Sequence, residues 1–200
     1  MLEKKEHIGL LLGSFNPIHI GHLIMAEMAL EKCGLDGIWF IVSPMNPAKA
    51  KSGILIDENE RLKMTKIAAE YNDKFHVSNI EFSMPRPSFT NNTLRHLREI
   101  RPNKKFSIVC GTDTHFKIPF WRNAQEVVDN HDFILYERGG NDKGVCTEKG
   151  IDKKTTLLKN VPVLEISSTF IREQIKNNGS LKHLLPESVI EHIKTNNLYK

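Results

Sequence analysis

Gly13-Ser14-Phe15-Asn16-Pro17-Ile18-His19-Ile20-Gly21-His22 joins two stretches of opposite character. Before it, His7-Ile8-Gly9-Leu10-Leu11-Leu12 is a short continuous apolar run, as expected of a strand buried on both faces. After it, Leu23 to Lys32 reads as a helix closed by Gly34. A strand, a tight Gly/Asn/Pro turn and a helix start together make an anion site. Free backbone N–H groups and the positive end of the helix dipole converge at the carboxyl edge of the strand. His19 and His22 are three apart, so a helix beginning at Ile20 lets both point into that crevice.

Outward from this loop, the chain repeats the strand-then-helix pattern. Ile38 to Val42 is a second buried strand, and it runs into Ser43 to Lys51, where two prolines exclude regular structure. Lys49 and Lys51 can each reach a phosphate from that loop or simply solvate the surface, which is the preferred reading for Lys51. Asp57 with Glu60 forms a capping-box pattern, and Met64, Ile67, Ala68 and Tyr71 mark the core face of the next helix. Phe75 to Ser78 is a third strand, with His76 structural. Pro85 to Thr93 is a turn-rich loop feeding a helix whose Leu94, Leu97 and Ile100 face inward and which stops before Pro102.

Phe106 to Cys110 is the fourth strand. Gly111-Thr112-Asp113 lies at its carboxyl end, where a short acidic residue can hold a ribose hydroxyl. Trp121, between Pro119 and Arg122, reads either as core or as a stacking platform. Phe133 to Tyr136 is the fifth strand, and Gly139 to Lys154 is a polar, mobile surface loop. Val161 to Leu164 carries Pro162, so as a strand it would sit at a sheet edge. Ile166 to Arg172 places hydroxyls at a helix start. Ser168 and Arg172, four apart, share one face there and make a second phosphate clamp. Pro186 and Glu187 open a last helix that packs through Val189, Ile190 and Ile193. The expected fold is α/β: a Rossmann-like parallel sheet of about five or six strands flanked by helices. Residues 1–200 read as one domain, with a short C-terminal helical segment, about 167–200, packed on it.

A net charge of +4 suits anionic small molecules as well as nucleic acid. The sequence has no Lys/Arg block dense enough for a nucleic-acid tract, and no nucleic-acid partner is expected. Cys33, Cys110 and Cys146 are odd in number and lack C-x-x-C spacing, which argues for a reducing compartment. Lys4-Lys5 precedes an apolar run too short for a signal segment or a membrane span. A cytoplasmic protein with no membrane partner is expected.

The H-x-G-H signature of His19 to His22 resembles the nucleotidyltransferase superfamily, whose members attach AMP or CMP to a phosphate. The same histidines could ligate a metal, but no Cys, Asp or Glu lies near enough in sequence to complete a shell, and no metal site is expected. Ile166-Ser167-Ser168-Thr169-Phe170-Ile171-Arg172 and the tail from Leu185 to Tyr199 resemble the bacterial nicotinate-nucleotide adenylyltransferase family. Pro87 to Leu94, Gly111 to Asp113 and Pro119 to Trp121 follow in family order. Leu12, Asn16, Asn92 and Asn46-Pro47-Ala48-Lys49 depart from it, standing where the family often has Gly, Asp, Asp and a P-P-H-K-like run. Asn keeps the turn-forming capacity of Asp while dropping a charge.

The resemblance implies an enzyme of NAD biosynthesis that transfers AMP from ATP to nicotinate mononucleotide. His19, His22 and Arg172 would be catalytic. Gly13, Ser14, Phe15, Gly111 and Asp113 would bind ATP with the histidines, and Ser167, Ser168 and Thr169 with Arg172. Asn16, Lys49, Thr90, Asn91, Trp121 and Arg122 would bind the acceptor. Mg²⁺ would come with ATP, and a homo-oligomer is left open. The acceptor phosphate is already largely dianionic at pH 7, its second pKa being roughly 6, so no general base is required. Two alternatives stand beside this: another phosphorylated acceptor, such as phosphopantetheine or nicotinamide mononucleotide, or a nucleotide-binding sensor that does not turn over.

Overall fold

Apolar runs that must be buried on both faces become the strands of one sheet. The computed structural model describes residues 5–49, 53–137 and 154–200. The strands are β1 (Glu6–Gly13), β2 (Gly37–Val42), β3 (Phe75–Ser78), β4 (Lys104–Gly111), β5 (Asp132–Tyr136) and β6 (Thr155–Leu157). All pair in parallel, in the order β3-β2-β1-β4-β5-β6. The order reverses between β1 and β4, and open α/β sheets place ligands outside the carboxyl ends of the strands at such a point. Seven α-helices are described: α1 (Ile20–Lys32), α2 (Glu58–Ala69), α3 (Thr90–Ile100), α4 (Thr112–His115), α5 (Ala124–Asn130), α6 (Ser168–Lys176) and α7 (Glu187–Thr195).

Alternation along the strands builds two cores. Leu11, Ile38, Phe40, Val109 and Ile134 face α1, α2, α6 and α7. Ile8, Leu10, Ile41, Ile108 and Phe133 face α3 and α5. Gly9 has no room for a side chain, since a Cβ there would stand 2.6 Å from Ile38 Cδ1. Asp57 caps α2 as its position implies, accepting from the N–H groups of Asn59 (2.8 Å) and Glu60 (3.4 Å). The Glu60 carboxylate instead meets His192 Nε2 at 2.7 Å and ties α2 to α7.

The structure corrects three readings. Tyr71 is 72% exposed, because α2 ends at Ala69 and its apolar stripe ends with it. Ile100, in the last turn of α3, is 40% exposed. The edge strand is Thr155–Leu157, whereas 161–164 is irregular. The Tyr136 hydroxyl donates to the Pro162 carbonyl, so that segment is held by a side chain in place of a ladder. Most of the polar loop, 139–153, lies outside the described residues, as do Lys51 and Cys146. Among the described residues no helix is long and apolar enough to cross a membrane.

Candidate active site

β1 and β2 end level, with Gly13 opposite Val42, and Ser43 N–H donates to the Gly13 carbonyl (2.8 Å). The loops that follow therefore leave the sheet together. Phe15 has φ +44°, a left-handed backbone for a residue with a side chain. Such strain, of order 1–3 kcal/mol, persists only where the surroundings impose it, and it gathers at functional sites. Its ring goes into the core, 5.8 Å from Phe40 and edge-on to His22 at 5.2 Å. Any contact of Phe15 with nucleotide would come from its backbone. The Asn16–Pro17 peptide bond is cis.

Asn16 is 2% exposed, and its amide is turned into the protein. Its Nδ2 donates to the Ile54 carbonyl (3.0 Å), while its Oδ1 accepts from Ile56 N–H (3.4 Å) and the Tyr199 hydroxyl (3.1 Å). An aspartate could not make the first of these bonds. Burial pushes the Tyr199 hydroxyl pKa up, which keeps it a donor. The C-terminal tail is thereby fastened to the loop that carries the histidines.

α1 begins at Ile20, as the spacing of the histidines requires. The His19 and His22 rings stack with centroids 3.7 Å apart and planes 27° from parallel. His19 N–H donates to His22 Nδ1 at 3.2 Å, so a neutral His22 carries its proton on Nε2 and is a donor there. Gly21 makes the stacking possible: a Cβ would lie 3.1 Å from His19 Nδ1. One donor of the expected anion site is already used, since Ile20 N–H is bonded to the Leu184 carbonyl (3.0 Å).

α6 docks against the same loop. Ser168 Oγ donates to the Pro17 carbonyl (2.8 Å) and Arg172 Nη1 to the Asn16 carbonyl (2.8 Å), so the pair does share one face. Thr169 Oγ1 accepts from Arg172 Nη2 (3.2 Å), and Ser167 Oγ caps the helix by accepting from Phe170 N–H (3.2 Å). These hydroxyls hold α6 and aim its arginine. Across the switch point, Gly111 ends β4 and Asp113 stands half-buried in the first turn of α4. Ser14 is buried beneath the loop.

Lys49 lies at the surface but in an electropositive corner. Partial desolvation, then the like charges of Arg172, Arg61 and Lys117, lower its pKa. A bound phosphate dianion would relieve that repulsion. Should Lys49 hold an acceptor phosphate, its charged ammonium is the binding form, and acceptor KM should rise with pH at values below the ordinary lysine range. Lys49→Gln should raise acceptor KM roughly tenfold at pH 7, the scale of one charge-assisted hydrogen bond, and flatten this rise. Initial rates measured across pH at saturating ATP check both.

Three of the acceptor candidates, Thr90, Asn91 and Arg122, meet at the start of α3. Thr90 and Asn91 are in its first turn, and the N-cap Phe89 gives no side-chain hydrogen bond. The N–H groups of a first turn have no partner within the helix. The Arg122 guanidinium lies 4.8 Å above the Phe89 ring, and the half-buried Trp121 packs on the core cluster that includes Leu94 and Leu97 of the same helix. Phe120, beside Trp121, is 88% exposed.

Sequence reasoning missed three groups. Glu81 is buried under this corner and accepts from Thr93 Oγ1 at 2.7 Å. Burial raises its pKa against the hydroxyls of Thr93, Ser88 and Ser43. Arg61 is 1% exposed, although a signal existed: it stands three and four residues before Met64 and Thr65, on the buried stripe of α2. The Tyr199 hydroxyl gave none.

The cytidylyltransferase-like family model matches residues 10–174. A Flavobacterium johnsoniae protein named "Probable nicotinate-nucleotide adenylyltransferase" is 43% identical over 96% of this chain and 98% of its own. A Clostridium tetani protein of the same name is 35% identical over the whole of both chains. Among solved structures, Plasmodium falciparum nicotinic acid mononucleotide adenylyltransferase complexed with NaAD has a TM-score of 0.81 at 24% identity, covering 97% of each chain. The same enzyme complexed with APC has a TM-score of 0.80 at 24% identity, again covering 97% of each chain.

Proposed function

This chain belongs to the cytidylyltransferase-like family and, within it, to the nicotinate-nucleotide adenylyltransferases, and on that premise we propose that it transfers AMP from ATP to nicotinate mononucleotide. The products are nicotinate adenine dinucleotide and pyrophosphate, and the setting is NAD biosynthesis. The observation that carries this is the stacked His19–His22 pair at the head of α1, with Arg172 hydrogen-bonded to the same loop.

The acceptor phosphate oxygen attacks the α-phosphorus of ATP as the bond to the β-phosphate oxygen breaks. No proton has to leave the nucleophile, so the protein's work is positioning and charge neutralisation. His22 donates through Nε2 to the reacting phosphates, with His19 stacked behind it. Arg172 neutralises the departing pyrophosphate, and Lys49 holds the acceptor phosphate. Mg²⁺ would neutralise further charge on ATP. Phosphate oxygens would be its main ligands. We read residues 1–200 as one domain working in the cytoplasm. Packing of α6 and α7 on the same core as α1 and α2 supports the first reading, and the cysteine pattern supports the second.

Arg172→Ala should raise KM for ATP, and for pyrophosphate in the reverse direction, at least tenfold while changing acceptor KM little. Arg172→Lys should recover only part of this, since lysine lacks the planar fork. Full activity in Arg172→Lys would reduce the clamp to a point charge. The proposed function itself is tested with an acceptor panel. With ATP and Mg²⁺, pyrophosphate release should be fastest with nicotinate mononucleotide; faster release with phosphopantetheine would reassign the acceptor.

A further inference from the structure

Arg61 heads the largest side chains that are fully buried among the described residues, and none of its hydrogen bonds goes to a carboxylate. Nη1 donates to the carbonyls of Ser14 (2.7 Å) and Ser43 (2.6 Å), Nη2 to Pro44 (2.9 Å) and Nε to Ile56 (3.1 Å). Burying a guanidinium is costly, and neutral carbonyls repay less of that cost than a carboxylate would. A merely stable core at this place would be better served by an apolar side chain.

What the four carbonyls have in common is their position. Ser14 begins the loop that carries His19 and His22, and its neighbour Phe15 holds the left-handed backbone. Ser43 and Pro44 begin the loop that carries Lys49, and Ile56 ends it. The next residue, Met45, accepts from Ser88 N–H (2.9 Å), which extends the connection to the segment entering α3 at Thr90. One rigid fork thus joins the nucleotide side of the site to its acceptor side. Arg61 also borders a cavity of about 260 Å³ shared with Lys49 and Arg86.

We propose that Arg61 is a positioning residue that fixes the spacing between the histidine loop and the acceptor loop, acting through backbone carbonyls. The proposal rests on the adenylyl-transfer reading, because only a reaction between two separately bound substrates needs that spacing. A lysine has its donors on one nitrogen and cannot reach carbonyls in these diverging directions. A misplacement near 1 Å between reacting groups can cost about 10²-fold in rate.

The test uses the full chain with Arg61→Lys and Arg61→Met, folded fractions being established by circular dichroism. In both variants kcat per folded molecule should fall about 10²-fold. Dissociation constants of ATP alone and nicotinate mononucleotide alone, measured separately, should change no more than about threefold. Amide hydrogen exchange should speed up together in residues 14–16 and 45–46. Wild-type kcat in Arg61→Lys would overturn the proposal, as would a rate loss matched by equal weakening of both separate affinities. It would also fall if neither variant folds, since Arg61 would then be a folding residue only. Should the wild type not transfer AMP, the functional reading fails by itself; the exchange measurement still decides the pinning, and unchanged exchange would refute it.

Discussion

Replacing His22 with alanine should lower kcat about 10²–10³-fold in a protein that still folds. That is the usual loss when one preorganised donor to developing charge is removed. The ring is half-buried, and it meets the His19 ring, the His19 N–H and the edge of Phe15. Little of the core depends on it. His19 is 3% exposed, so His19→Ala should lose stability as well as rate and is the less clean probe. The double variant should be scarcely worse than the slower single one, since stacked groups that act as a unit are not additive. Turnover like wild type in folded His22→Ala would remove the histidine pair from the mechanism.

The second large effect concerns the acceptor's ring substituent. A nicotinate carboxylate needs donors, and the first turn of α3 offers the N–H groups of Thr90 and Asn91 without a side-chain cap. Arg122, over the Phe89 ring at the head of that helix, adds a cation to the same corner. The nicotinamide nucleotide would present an NH₂ group to these donors and leave some of them unpaired. Sites of that kind discriminate strongly. Acid should therefore be preferred over amide by about 10² or more in kcat/KM. Trp121→Ala should weaken both acceptors and spare ATP. Equal kcat/KM for the two nucleotides, measured side by side, would overturn this placement.

Much of this was legible in the sequence because it is local. Short apolar runs bounded by turns mark β1 to β5, and the three-residue spacing of His19 and His22 works only if α1 starts between them, as it does. The Ser168–Arg172 pair was readable for the same reason. What stayed hidden depends on residues far apart in the chain. The bond from the Tyr199 hydroxyl to Asn16 spans 183 positions, and nothing near either residue announces it. Arg61 shares the buried stripe of α2, but that this stripe holds a cation bonded to four backbone carbonyls shows only in the fold. Tyr71 and Ile100 failed in the opposite sense: an apolar period was carried past the point where the helix could still bury it. The last strand was displaced for a similar reason. Thr155 and Thr156 are β-branched and suit an edge, whereas the apolar run at 161–164 contains a proline that cannot join a ladder.

Labelled ATP distinguishes adenylyl transfer from every other fate of the nucleotide. The wild-type protein is given Mg²⁺ and nicotinate mononucleotide with ATP carrying ³²P at either the α or the γ position, and the products are separated over time. Label from the α position should appear in nicotinate adenine dinucleotide, mole for mole with γ label in pyrophosphate, and both should slow about 10²–10³-fold in His22→Ala. Label from the γ position in inorganic phosphate or on the acceptor, or no labelled dinucleotide from a folded protein, would contradict adenylyl transfer to nicotinate mononucleotide.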